Sequence, residues 1–262
     1  MGGLAVVSPL SVLSGFVVGL LVGLTGVGGG SLMTPLLILL FGTHATTAVG
    51  TDLLYAAATK SVGSLSHGLG NTVDWRIAAL LAAGSLPGSL LTIAALYRMG
   101  ITGGSSSRLI TITLGVALLL SAVAVLARPL IRRMSDRHAA ARRHWTAPLT
   151  VMAGFVLGVL VTTSSVGAGA LGMTLLVILY PGVRLVRLVG SDIAHAVPLT
   201  LVAGLGHWLL GSVDWLLMGS LLLGSVPGII LGSHVSARLP ERLLRPILAV
   251  ILLIVGVRML SS

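Results

Sequence analysis

The chain has 262 residues, 55% of them hydrophobic and only 8% charged, with a formal net charge of +10 and a mean hydropathy of +1.09. A soluble domain averages about 25% charged residues, so this composition cannot cover a water-facing surface, and lipid is the expected outer solvent. The arginines cluster between apolar segments, the pattern that orients a membrane protein, which argues against a nucleic-acid-binding face, and zero cysteines exclude disulfides, thiolate metal sites and cysteine nucleophiles.

In chain order the apolar segments run over 9–41, 45–70, 75–97 and 108–127, then over 147–180, 188–210, 215–235 and 241–260. The first begins with no Lys or Arg before Lys60, so it lacks the basic start of a cleavable signal and is read as retained. A helix needs about 20 residues to cross the hydrocarbon, so the last three segments of each set are single spans. The first of each set is too long for one span and carries a glycine-rich interruption: Thr25-Gly26-Val27-Gly28-Gly29-Gly30-Ser31 in one, Ser164-Ser165-Val166-Gly167-Ala168-Gly169-Ala170 in the other. Glycine costs about 1 kcal/mol relative to alanine in a helix interior, so both stretches are expected to unwind, which at membrane depth is tolerated only inside protein or against a cavity.

The second set repeats the first. Gly15-Phe16-Val17, Gly19, Gly28 and Gly30 return 139 residues later as Gly154-Phe155-Val156, Gly158, Gly167 and Gly169. Asp52, His67, Val73-Asp74-Trp75 and Pro87-Gly88 return 140 residues later as Asp192, His207, Val213-Asp214-Trp215 and Pro227-Gly228, the slip falling in the turn around 42–49. Four of only six acidic residues are in matched pairs. The expected fold class is therefore an all-α integral membrane protein of two homologous repeats of about four apolar segments each, one domain overall, with residues 1–127 as repeat 1, 128–146 as a basic linker and 147–262 as repeat 2. Internal repeats in an apolar chain point to a transporter with its site at the repeat interface.

Arginine placement selects the geometry. If each first segment returns to its starting side, the halves are inverted. With the linker arginines Arg128, Arg132, Arg133, Arg137, Arg142 and Arg143 in the cytoplasm, Arg76, Arg184, Arg187, Arg238, Arg242 and Arg245 join them, and only Arg98, Arg108 and Arg258 fall outside. Four crossings per repeat would instead split these residues eight to seven. The positive-inside rule favours inverted repeats. The linker reads as a solvated cytoplasmic connector, with an interfacial helix anchored by Trp145 as the alternative.

No enzyme signature appears: no His-Glu-x-x-His, no Walker loop and no Gly-x-Ser-x-Gly elbow. The glycine breaks read as a substrate cradle, offering Thr25, Gly26, Gly28, Gly29, Gly30 and Ser31 from one repeat and Ser164, Ser165, Gly167 and Gly169 from the other. Half-helices starting near Ser31 and Ala170 would turn a positive dipole end toward an anion; close helix packing by glycine is the alternative.

Lys60 lies deep in its span, where an unpaired charge costs at least a few kcal/mol, so it should face a cavity or a partner. Ser64 and His67 share its helix face, and Thr200 stands at its repeat position. Lys60 reads as the fixed charge for an anion, or alternatively as a folding partner of Asp52 or Asp192. Those two aspartates read first as helix-start caps, with proton or cation coupling as the second role. His67 and His207 read as interfacial histidines or a proton relay, and Asp74-Trp75 and Asp214-Trp215 as interface markers.

The run Gly-x-Gly-Gly-Gly-x-Leu-x-x-Pro-Leu-Leu over 26–37, followed by Ala48-Val49-Gly50-Thr51-Asp52, Val73-Asp74-Trp75 and the Gly-Ser-Leu-Pro-Gly of 84–88, resembles the TauE/SafE sulfite exporter family over almost the whole chain. The second repeat departs from the pattern, with Ala168 for a glycine and Thr174 for a proline. The resemblance implies a multi-pass inner-membrane protein of prokaryotic type that moves sulfite, organosulfonates or another small organic acid. The expectation is thus a secondary transporter without cofactor or metal, working with a small anion and membrane lipid, its homodimerisation left open. An anion channel and an intramembrane enzyme are the competing classes.

Overall fold

A computed structural model describes residues 9–25, 30–69, 72–102, 108–137, 145–236 and 241–261. These residues form helices α1 (Pro9–Thr25), α2 (Gly30–Phe41), α3 (Ala45–Leu69), α4 (Trp75–Arg98), α5 (Arg108–Arg137), α6 (Thr146–Ser164), α7 (Ala170–Leu179), α8 (Leu185–Leu209), α9 (Trp215–Ser236) and α10 (Glu241–Ser261). Five helices are long and apolar enough to cross a membrane, namely α4, the Arg108–Arg128 part of α5, α6, α8 and the Trp215–Gly232 part of α9, and shorter apolar helices accompany them. Burial is inverted relative to a soluble protein. On α4, Ser85, Ser89 and Thr92 are buried while Leu90 and Leu91 are exposed, and Leu, Ile and Val face outward along α5, α9 and α10. Apolar side chains outside and small or polar ones between helices is the arrangement lipid selects.

Two helix starts show how the sequence sets the elements. Asp74 caps α4 by accepting from the backbone N–H of Arg76 and Ile77. Asp214 caps α9 in the same way, accepting from Leu217 N–H at 2.9 Å. An aspartate at such a position satisfies N–H groups that have no partner within the helix. The linker differs from expectation. The helix does not stop at 127 but continues through Pro129 to Arg137, because arginine and methionine are good helix formers. Linker residues 138–144 lie outside the described residues.

Helix packing pairs elements far apart in sequence, and the contacts come in matched sets. A Cβ on Gly15 would meet the Leu221 backbone and one on Gly19 the Ser225 backbone, just as Gly154 meets Leu81 and Gly158 meets Ser85. Asp74 N–H donates to Ser191 Oγ at 2.8 Å and Asp214 N–H to Thr51 Oγ1 at 3.0 Å, again residues 140 apart. Contact order along each pair gives direction. In α1 and α9 the numbers rise together (15 with 221, 19 with 225), as they do in α4 and α6 (81 with 154, 85 with 158), so both pairs are parallel. In α3 and α8 they run oppositely (Gly50 against His207, Leu54 against Gly204), and likewise in α5 and α10 (Gly115 against Leu260, Leu119 against Gly256). At one face, Arg187 at the start of α8 meets Asp74 at the start of α4, 3.8 Å apart.

The glycine contacts carry a direct test. A Cβ on Gly84 would lie 1.8 Å from the Val151 carbonyl oxygen, and one on Gly224 1.8 Å from that of Val12, whereas one on Gly219 would meet nothing within 4 Å. Gly84→Ala and Gly224→Ala should each destabilise the protein by about 1–3 kcal/mol through overpacking. Gly219→Ala should be neutral or slightly stabilising. Thermal unfolding in detergent, compared across the three variants, measures this; equal melting temperatures would mean the helices do not approach through these glycines.

Candidate functional site

The polar centre of the bundle is assembled where α3 passes the chain between α6 and α7. α6 ends at Ser164, and Ser165 follows in the left-handed region at φ 58°, its N–H still donating to the Val161 carbonyl. Gly167 and Gly169 have φ of 122° and 127°, which a side chain would strain, and α7 restarts at Ala170. This turn leaves backbone groups outside any helix ladder, and such groups need partners away from water. Lys60 supplies one: its Nζ donates to the Ala168 carbonyl at 2.9 Å. Repeat 1 thus reaches with its one lysine into the turn of repeat 2.

Two carboxylates flank this contact. Asp52, fully buried on α3, accepts from the Thr34 hydroxyl of α2 through Oδ2. Its Oδ1 has no hydrogen-bond partner, nor has Ser165 Oγ, although the Ser165 hydroxyl lies close enough to act on the carboxyl. Asp192, also buried, packs against the first turn of α7: a Cβ on Gly172 would sit 2.3 Å from its Oδ1. The charges of Asp192 and Asp52 both act on Lys60, Asp192 the more strongly, and Arg128 acts on Asp192. Neither carboxylate lies within the 4 Å ion-pair distance of Lys60, in contrast to Arg187 and Asp74 at the helix starts.

The capping role expected of Asp52 and Asp192 is not what the structure shows. Both lie seven residues into their helices, which start at Ala45 and Leu185, about 10 Å along the axis at 1.5 Å per residue. The dipole expectation also changes. The first turn of α7 meets a carboxylate of the protein itself, so the fixed positive charge beside the break is Lys60.

Of the other expected site residues, Ser164 is buried and bonds the Leu160 carbonyl of its own helix at 2.6 Å. Thr200 bonds the Ala196 carbonyl at 2.8 Å. His207 bonds the Thr162 carbonyl of α6 at 2.9 Å, tying α8 to α6 beside the cluster, and Ser64 is half-buried one turn beyond Lys60. Thr25 ends α1 and Gly30 and Ser31 open α2, but the side chains of Thr25, Ser31 and His67 lie outside the described residues, as do Gly26, Gly28 and Gly29. Among the described residues no group of three or more His, Cys, Asp or Glu could hold a metal ion.

Sequence reasoning missed Thr34, Tyr55, Ser85, His195 and Ser225. His195, on α8, bonds Ser85 Oγ of α4 through Nε2 at 2.8 Å. Its repeat position is Tyr55, whose neighbour is Ser225, the repeat position of Ser85. The pair was recoverable from the 140-residue offset alone, but a search for identical residues passes over a tyrosine matched by a histidine.

A polytopic α-helical bundle, lipid-facing outside and with a buried lysine and two buried carboxylates about a helix break, defines a membrane transport protein. The family described as sulfite exporter TauE/SafE matches over residues 11–259, and the chain belongs to that family. It is 38% identical over 95% of its length, and 98% of the relative's, to the probable membrane transporter protein YjnA of Bacillus subtilis (strain 168). It is 26% identical to the same organism's probable membrane transporter protein YdhB, over 80% of this chain and 82% of that one. A 76-residue stretch, 29% of this chain and 28% of the relative, is 42% identical to its probable membrane transporter protein YunE. No solved structure matches.

The His195–Ser85 bond predicts an asymmetry. Ser85→Ala strands a buried imidazole nitrogen, which costs about 1–3 kcal/mol. Ser225→Ala should cost less, because the Tyr55 hydroxyl makes no hydrogen bond of normal geometry to Ser225. Chemical denaturation of the two variants compares them; an equal or reversed ranking would contradict the assignment.

Proposed function

We propose that this membrane transporter is a secondary carrier of a small anion, with sulfite and organosulfonates as the first candidates, working through two inverted repeats. The observation that carries the anion reading is Lys60, a cation buried in mid-span on the carbonyl of an unwound turn instead of in a contact ion pair. A buried charge inside a membrane bundle marks a substrate or ion path by default. The family name and the relatives' names support transport; the cargo is inferred from the charge.

The inverted arrangement rests on helix direction. α3 and α8 occupy equivalent places in the two repeats and run antiparallel, as do α5 and α10. Spans exchanged by an axis along the membrane normal would run parallel, whereas an axis in the membrane plane reverses them. α1 and α3 are both parallel to α9, so the α1–α2 segment returns to its starting side. With these directions Arg76, Arg137, Arg184 and Arg187 lie at one face, which the positive-inside rule makes cytoplasmic, and the linker 128–146 lies there too, in a protein of the cell inner membrane.

Two experiments test this. Lys60→Met keeps length and apolar packing and removes the charge. It should weaken sulfite or sulfonate binding to the purified protein at least about tenfold, or 1.4 kcal/mol, while the Ala168 carbonyl left without its donor costs about 1–3 kcal/mol of stability; unchanged affinity in the folded variant would make Lys60 a structural residue. Flux that never saturates with anion concentration would favour a channel. For topology, the cysteine-free chain accepts single reporters at exposed tryptophans. Trp75→Cys and Trp145→Cys should react with an impermeant maleimide only after permeabilisation, and Trp215→Cys in intact cells. Labelling of all three from one side would reject the inverted repeats.

A further inference from the structure

The charges around the α6–α7 break balance. Lys60 and Arg128 act on Asp192, and Lys60 on Asp52, so among the described residues two cations stand against two carboxylates. A cluster neutral with its carboxylates ionised gains a net negative charge when a monovalent anion enters, and in a bundle interior that charge is expensive. One positive charge must enter with the anion, and Asp52 has a place for it. Its Oδ2 is occupied by the Thr34 hydroxyl. Its Oδ1 is buried and unpartnered, as is Ser165 Oγ beside it on the break. A proton on Oδ1 would turn an acceptor without a donor into a donor, and the Ser165 hydroxyl is a neighbouring acceptor on the break. Asp192 is built differently among the described residues: its Oδ1 is also unpartnered, but bare Gly172 faces it, and the Thr174 hydroxyl of that helix bonds the Ala170 carbonyl at 2.8 Å. Among the described residues the two unpartnered oxygens fall short of the roughly six ligands that a hard metal cation gathers, whereas a proton needs only one donor and one acceptor.

We propose that Asp52 is the coupling site of transport: one proton binds at its unpartnered Oδ1 together with each monovalent anion held at Lys60, and the two cross as a neutral pair. The proton is taken from water on the side where the site opens, rests on the carboxyl while the anion is bound, and returns to water on the other side. The direction of net flow follows the gradients. Among the described residues, Lys60 and Tyr55 of its own helix act with Asp52 directly; Asp192 and His195 of α8 connect to it through Lys60 and Arg128 of α5 through Asp192, and His207 packs against Gly50 of the same helix. α2 and the break contribute hydroxyls only, Thr34 and Ser165. Tyr55, His195 and His207 each pack or bond away from the Asp52–Ser165 pair, to Ser225, Ser85 and the Thr162 carbonyl.

The inference rests on the anion reading, and the experiment separates the two. Purified protein in liposomes with a trapped pH dye is given methanesulfonate, which stays ionised at all working pH values, in sodium-free buffer. In wild type, inward methanesulfonate should acidify the lumen, and a gradient of one pH unit should drive about tenfold accumulation, as one proton per anion requires. Asp52→Asn should abolish both while retaining methanesulfonate counterflow at equal pH. A variant that still concentrates anion on the pH gradient overturns the proposal. So does loss of counterflow in a folded variant, which would put Asp52 in the anion site itself, and so does wild-type flux that requires sodium. Should Asp52→Asn fail to fold, Ser165→Ala takes its place: the pH profile of net uptake should move, and an unmoved profile overturns the assignment. Absence of any anion-dependent flux in wild type, with sulfite tried alongside, would take the anion reading down together with this one.

Discussion

The interaction on which the centre of this protein depends is the bond from Lys60 to the Ala168 carbonyl. Lipid offers no hydrogen bonds, so an interrupted helix at membrane depth must find partners within the protein, and a lysine there must find an acceptor. Each difficulty answers the other. The break supplies carbonyls outside any helix ladder, and the lysine supplies the donor. The two carboxylates complete the electrostatics from α3 and α8, helices that meet because Gly50 and Gly204 let them approach. Removing the break would bury a lysine on a continuous helix with no carbonyl to receive it.

The scaffold that holds this centre is an exchange between repeats. α9 of repeat 2 lies on α1 of repeat 1, and α4 of repeat 1 on α6 of repeat 2, through glycines that leave no room for a Cβ. Without a hydrophobic drive between helices in lipid, such backbone approach and its weak hydrogen bonds are what associates them. The same exchange sets Ser85 of α4 on His195 of α8 and brings Ser225 of α9 to Tyr55 of α3. The scaffold and the polar centre therefore share residues, because the glycine face of α4 also carries Ser85 and Ser89.

Much of this was legible in the sequence because the chain states it twice. The 139- and 140-residue offsets pair Gly15 and Gly19 with Gly154 and Gly158, and Asp74 with Asp214, although the two aspartates read as interface markers and are helix caps in the structure. What local pattern could not give was depth within a helix. Gly-Thr-Asp and Gly-Ser-Asp look like helix starts, since small polar residues before an acid usually are, yet α3 and α8 begin seven residues earlier because Ala45 to Val49 and Leu185 to Val189 carry nothing that stops a helix. Nor could pattern reveal that Asp192 would lie on the first turn of α7, since residues 172 and 192 are joined only by the fold. The extension of α5 past Pro129 was hidden because a polar, arginine-rich run reads as linker while being an adequate helix.

The two repeats agree where the protein needs a frame and differ where it needs chemistry. Helix-packing glycines, caps and the Asp52 and Asp192 carboxyls recur, but Lys60 is answered by Thr200 and Tyr55 by His195. A strictly symmetric centre would hold two lysines and two carboxylates on one axis and could place a small ion only on that axis or in two equal half-sites. Replacing one lysine by a threonine that bonds its own helix leaves a single charge off the axis. Giving one carboxylate a hydroxyl neighbour and the other a bare glycine makes the two acids chemically different at equivalent depth.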